Sequence, residues 1–128
     1  HSALQYQDLV VLSVSFVLKP EEQQIIEAKM ADFSRRRRTK QPLDYPSAGS
    51  TFKRPFGHYA AALIDEAGLK GMRVGDAMVS PKHAGFVINC GKATARDTLL
   101  LMRSIEDKVF AKSGVRLEPE VMIIGEDV

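Results

Sequence analysis

The stretch RVGDAMVSPKHAGFVIN, residues 73–89, places two short apolar runs on either side of Ser80-Pro81-Lys82-His83. Both runs carry the bulky and β-branched side chains that suit a pleated, half-buried surface. They predict an antiparallel hairpin with strands at Arg73–Val79 and Ala84–Asn89 and a longer loop between them. Toward the C-terminus, Gly91 ends the second strand, and Thr94-Ala95-Arg96-Asp97 has the form of a capping box, with aspartate in place of the usual Glu or Gln. Leu99, Met102, Ile105 and Val109 then recur at helical spacing, which predicts a helix to about Lys112, stopped by Ser113-Gly114. A last strand is expected at Glu120–Ile124.

Toward the N-terminus, Ala60, Leu63, Ile64 and Ala67 predict a second helix over 58–67, with Gly68 as its stop. Residues 40–57 hold Pro42, Pro46, Gly49, Pro55 and Gly57 and read as one long loop, a length that often marks function. Before it, Pro20 is placed to open a helix with Glu21 and Glu22 in the first turn, an apolar stripe at Ile25, Ile26, Met30 and Phe33, and the run Arg35–Arg38 at the end that favours cations. LVVLSVSFVL, residues 9–18, alternates with a period of two and predicts a strand. The order is α+β: a small, largely antiparallel sheet with helices packed on one face.

The 128 residues, 45% hydrophobic and 27% charged, suit one globular domain or a domain with the remnant of a neighbour. The abrupt entry into a strand-like run after His1, with no initial methionine, is read as the start of an excised piece, although a processed mature terminus would look the same. A net charge of +2 does not point to an acidic partner. The single cysteine, Cys90, excludes an internal disulfide framework and suits a reducing compartment. No apolar run approaches the roughly 18 residues of a membrane span. His1, His58 and His83 have no companion at metal-ligand spacing. No GxGxxG, P-loop or GxSxG pattern occurs. The chemical lead is the loop itself. Ala48-Gly49-Ser50-Thr51 lets backbone approach a ligand, and Lys53 and Arg54 follow with charge for phosphate or carboxylate. A plain turn beside solvated basic residues would read the same way.

PSAGSTFKRP at 46–55, VSPKHAGFVIN at 79–89 and LEPEVMIIGE at 117–126, with AGLKG and RVG between them, resemble the UDP-N-acetylenolpyruvoylglucosamine reductases (MurB) in order and spacing. The resemblance covers residues 40–126 and fits the branch with the shorter C-terminal domain. HSALQ at 1–5 and the run after it resemble the last stretch of the family's flavin-binding region. The division this implies is 1–19 as the end of an FAD-binding region, 20–39 as a connecting helix and 40–128 as the substrate-binding domain.

The implied reaction is hydride transfer from FAD, reduced by NADPH, to the enolpyruvyl double bond of the UDP-sugar. Protonation of the adjacent carbon then gives UDP-N-acetylmuramate, a peptidoglycan precursor, in the cytoplasm. By resemblance Ser50 is the proton donor and Glu120 the glutamate that stabilises the enolic intermediate. For Glu120 to donate a hydrogen bond, burial would have to raise its pKa. Lys40, Arg54 and Lys82 stand at or near substrate-contacting positions. The family's catalytic arginine has no counterpart here. Arg54 departs from the other family branch, where asparagine follows the lysine, and Met122 and Asp76 stand where arginine and glycine are expected. FAD is expected to be held mainly by an upstream region, so the piece alone is expected to be inactive. His83 is expected as a packed hairpin residue, Cys90 as an ordinary thiol and Arg35–Arg38 as a solvated helix end. A small basic module gripping nucleic acid through Arg35–Arg38 and Lys40 is the alternative, and a family-like domain recruited as a structural part is a third reading.

Overall fold

A computed structural model describes residues 9–125. The chain divides into two compact units, His1–Asp32 and Phe33–Val128. HSALQ and the terminal Glu126 of the LEPEVMIIGE motif lie outside the described residues.

In the first unit, residues 9–22 form neither helix nor strand, and Leu12, Phe16 and Val17 are exposed. Alternation gives a segment two distinct faces, but a strand also needs a neighbour to pair its N–H and C=O groups. No described strand pairs with this one. Helix α1 (Gln23–Lys40) starts later than Pro20 suggested: the Glu22 carbonyl accepts Ile25 N–H at 3.0 Å and Ile26 N–H at 3.1 Å. Glu21 and Glu22 therefore precede the helix, and Glu21 meets Lys29 at 2.6 Å instead. The stripe Ile25, Ile26, Met30 and Phe33 is exposed, and no residue of α1 is buried.

The second unit is built on a four-stranded sheet of β1 (Ser47–Ser50), β2 (Arg73–Val74), β3 (Ala77–Val79) and β4 (Phe86–Asn89), in the order β1-β4-β3-β2. Every neighbouring pair is antiparallel. The expected first hairpin strand is in fact two strands. Gly75-Asp76 forms a two-residue turn between them, pairing Val74 with Ala77 and Arg73 with Met78. Asp76 explains its own presence there. Its carbonyl accepts Cys90 N–H at 2.8 Å and its carboxylate accepts Lys92 N–H at 2.7 Å, tying this turn to the loop after β4. The hairpin proper joins β3 and β4, with Val79 opposite Val87. Its loop is organised by Ser80, 0% exposed, whose hydroxyl accepts the N–H groups of Lys82 and His83, each at 3.2 Å.

Ala77, Val79 and Val87 turn toward one core with Leu63 and Ile64 of α2 (Ala60–Glu66) and Leu101, Met102, Ile105 and Val109 of α3 (Ala95–Ser113). Each large side chain fully buried here contributes about 1.5–3 kcal/mol. This is the α+β sheet with helices on one face. Beyond α3 the expected strand at Glu120–Ile124 does not form. Among the described residues one antiparallel bridge, Phe52 with Pro119, holds the segment, and Met122, Ile123 and Ile124 are exposed.

Candidate active site

β1 lies inside the stretch read as a loop, and among the described residues it is an edge strand paired only with β4. Ser47 sits opposite Ile88, yet Ser50 sits opposite Phe86, so β1 carries one residue more than its partner over that interval. The extra residue is accommodated at Gly49, whose φ is +86°. A Cβ there would meet nothing within 4 Å, so glycine is required by the left-handed backbone and not by lack of space. Bulges of this kind re-aim the side chain that follows them. The residue that follows is Ser50, and it is exposed.

Glu120 reaches the same edge from the other end of the chain. Lys53 N–H donates to Glu118 O at 2.8 Å and Glu120 N–H donates to Thr51 O at 2.9 Å. Thr51 is buried and joins three segments: its N–H donates to Gly85 O at 2.9 Å, its hydroxyl accepts Val87 N–H at 3.0 Å, and its carbonyl takes Glu120. The structure thus brings Ser50 and Glu120 onto adjoining backbone: Ser50 directly precedes Thr51, the acceptor of the bond that Glu120 N–H donates. The Glu120 side chain is exposed, so the burial expected for it is not provided by the described residues. Thr51 had no signal in the sequence, because its role depends on a partner at residue 120.

The cationic candidates are more dispersed. Arg54 is turned onto the following loop: its Nε donates to His58 O at 3.3 Å and its guanidinium lies 4.0 Å over the Tyr59 ring. Lys53 faces Glu118 at 3.3 Å, an exposed pair of small energetic weight. Lys40 is the last residue of α1. Lys82 directs its ammonium to Arg38 O at 2.5 Å. His83 packs edge-on to Phe86 with ring centroids 4.9 Å apart, and its Nδ1 accepts Gly85 N–H at 3.2 Å. Cys90 is a half-buried free thiol. Arg35–Arg38 lie exposed in the last turns of α1, where Arg37 Nε donates to Gln41 Oε1 at 3.2 Å. Behind the Ser50 edge, a pocket of about 380 Å³ opens between Ser47, Thr51, Val87, Met102 and Val121. Among the described residues no three His, Cys, Asp or Glu side chains are grouped to hold a metal ion. No helix there is long and apolar enough to cross a membrane.

Residues 41–124 match the family described as UDP-N-acetylenolpyruvoylglucosamine reductase, C-terminal domain. The chain belongs to this family. It is 52% identical over all 128 residues to the UDP-N-acetylenolpyruvoylglucosamine reductase of Streptococcus pneumoniae strain ATCC 700669 / Spain 23F-1, of which it covers 40%. With the reductase of strain Hungary19A-6 it shares 53% identity over 126 residues, 98% of this chain and 42% of that protein. The crystal structure of the reductase (MurB) from Thermus caldophilus superposes with a TM-score of 0.66 at 41% identity, over 80% of this chain and 35% of that one. The chain therefore spans about two fifths of the curated MurB relatives that it matches. The MurB family match begins at Gln41, one residue after α1 ends, and takes in the bulged edge strand, the hairpin and the segment carrying Glu120. It gives no support to the nucleic-acid reading.

Proposed function

We propose that this chain supplies the substrate-facing part of a reductase that converts UDP-N-acetylenolpyruvoylglucosamine to UDP-N-acetylmuramate in the cytoplasm. The observation that carries the reading is the bulge at Gly49, which presents Ser50 at an exposed edge beside the backbone of Glu120. In this reading FAD and NADPH, which the resemblance implies as the source of the hydride, are held mainly by the upstream region of the full-length protein. The division into an upstream FAD-binding end (1–19), a connecting helix (20–39) and a substrate domain (40–128) belongs to the same proposal.

In this reading Ser50 Oγ holds the proton that passes to the substrate carbon once hydride has arrived at its neighbour. A serine hydroxyl is a weak acid, so the transfer requires a strongly basic carbon and groups that stabilise the alkoxide left behind. Glu120, exposed here, acts against the enolic oxygen once substrate and the rest of the enzyme cover it. Lys40 and Arg54 offer charge to the diphosphate and carboxylate.

The test is NADPH oxidation by the full-length protein, dependent on the enolpyruvyl UDP-sugar, with Ser50→Ala beside the wild type. The variant is expected to accept electrons from NADPH normally and to form product about 10²–10⁴-fold more slowly, the usual weight of a positioned proton donor. A wild type that leaves the UDP-sugar unreduced would sink the proposed reaction. An unimpaired Ser50→Ala would remove Ser50 from the chemistry.

A further inference from the structure

A helix that ends at Lys40 leaves its last carbonyls without intrahelical donors, and the sequence at the end of α1 rules out the further residue that would pair the carbonyl of Arg38. In a helix the carbonyl of residue 38 accepts the N–H of residue 42, and residue 42 is Pro42, which has none. The last regular bond is Gln41 N–H to Arg37 O at 2.9 Å. Arg38 O is left without its ordinary donor beside a buried proline. Lys82, far along the chain, supplies the donor at 2.5 Å.

Lys82 is well placed for this. The Ser80 hydroxyl binds the Lys82 and His83 N–H groups at 3.2 Å each, and Ser80 N–H donates to Phe86 O at 2.9 Å, so the base of the lysine is held by the hairpin. Chain emerging from α1 is fastened again at its far end, where Asn89 N–H donates to Pro46 O at 2.9 Å. The segment from Arg38 to Pro46 is thus tied at both ends to the same hairpin. Lys40 lies two residues after the first tie, and β1 starts just after the second. The fold uses a related bond at α2, where Lys112 Nζ donates to the carbonyl of its last residue, Glu66.

We infer that Lys82 is a positioning residue: it gives the end of α1 the hydrogen bond that Pro42 withholds, and so fixes Lys40 and the approach to β1. That Lys40 then meets substrate rests on the function proposed above. The inference assigns Lys82 to the protein backbone instead of to the diphosphate.

The two roles separate in a double-mutant cycle on the full-length protein. Lys82→Met removes the donor, and Pro42→Ala restores an N–H at the position that Arg38 O lacks. Amide hydrogen exchange at Leu43 and Tyr45 is expected to rise about tenfold in Lys82→Met, as for loss of a charge-assisted bond. KM for the UDP-sugar is expected to rise several-fold, with kcat within about twofold. In the Pro42→Ala background both effects of Lys82→Met should shrink, and Lys82→Arg, which keeps a donor, should stay near wild type. Unchanged exchange in Lys82→Met overturns the inference. So does an equal KM rise in both backgrounds, the signature of direct phosphate contact. The exchange arm stands apart from catalysis: if the protein does not reduce the UDP-sugar, the proposed function falls, while exchange still decides the role of Lys82.

Discussion

The two long helices are nearly equal in length, 18 residues in α1 and 19 in α3. α3 is finished at both ends by its own sequence. Thr94 Oγ1 accepts Asp97 N–H at 3.1 Å, Asp97 returns the bond by accepting Thr94 N–H at 2.9 Å, and Gly114 closes the helix in the left-handed conformation at φ +70°. Between the ends it buries Leu101, Met102, Ile105 and Val109. α1 buries nothing, has no acidic residue in its first turn, and ends two residues short of a proline, where a distant lysine donates to the Arg38 carbonyl. One helix is specified locally and held by the core, whereas the end of the other is completed by tertiary structure.

That contrast can be broken most directly in the core. Ile105→Ala is expected to destabilise the protein by about 2–5 kcal/mol in denaturant unfolding, because Ile105 is fully buried among α2, α3 and the sheet. A cost under 1 kcal/mol would mean that α3 is not the member holding the core together. Thr94→Ala should cost about 1 kcal/mol by the same measurement, through loss of the capping box.

Part of that loss should depend on pH. Bonds from Thr94 hold the Asp97 carboxyl below its usual range, so its stabilisation is present above the ordinary carboxylate pKa and fades as pH falls through the lowered value. In Thr94→Ala this fading should flatten only in part, because the Thr94 N–H, the larger cause, is still present in alanine.

Glu106 on α3 runs the opposite way. Burial, followed by the neighbouring charge of Asp107, raises its pKa, so the folded state holds the proton more tightly than the unfolded chain. Stability conferred by the protonated form is therefore lost as pH rises through the raised value. Glu106→Gln should remove that decline and leave the protein slightly more stable at neutral pH, which unfolding at pH 4 and pH 7 would reveal. The smallest effect belongs to α1. Met30→Ala should change stability in this chain by less than about 0.5 kcal/mol, since Met30 is exposed. A larger loss would show that α1 is packed after all.

The same contrast explains what the sequence made legible. α3 could be read from Thr94, Asp97 and Gly114 because caps and apolar spacing are local signals. The hairpin is legible as two apolar runs, although the Gly75-Asp76 turn splits the first run into two strands. β1 was hidden because SAGS has no hydrophobic alternation, and it becomes a strand only through β4. Residues 9–18 and 120–124 erred the other way, with strand-like composition but no described partner strand. Ser50 and Glu120 were legible only through family motifs. Nothing in their separate neighbourhoods announces that one hydrogen bond from residue 120 to Thr51 would bring them together.

Thr51 also governs what this domain can afford to change. The path along the chain from Ser50 to Glu120 runs through α2, the hairpin and α3, but the path through space runs across Thr51 alone. Lengthening the turn after α2, or the loop between β4 and α3, adds residues to the first path and none to the second. Insertions in those places leave the spacing of the two groups intact, so the domain is free to vary in size around a fixed pair.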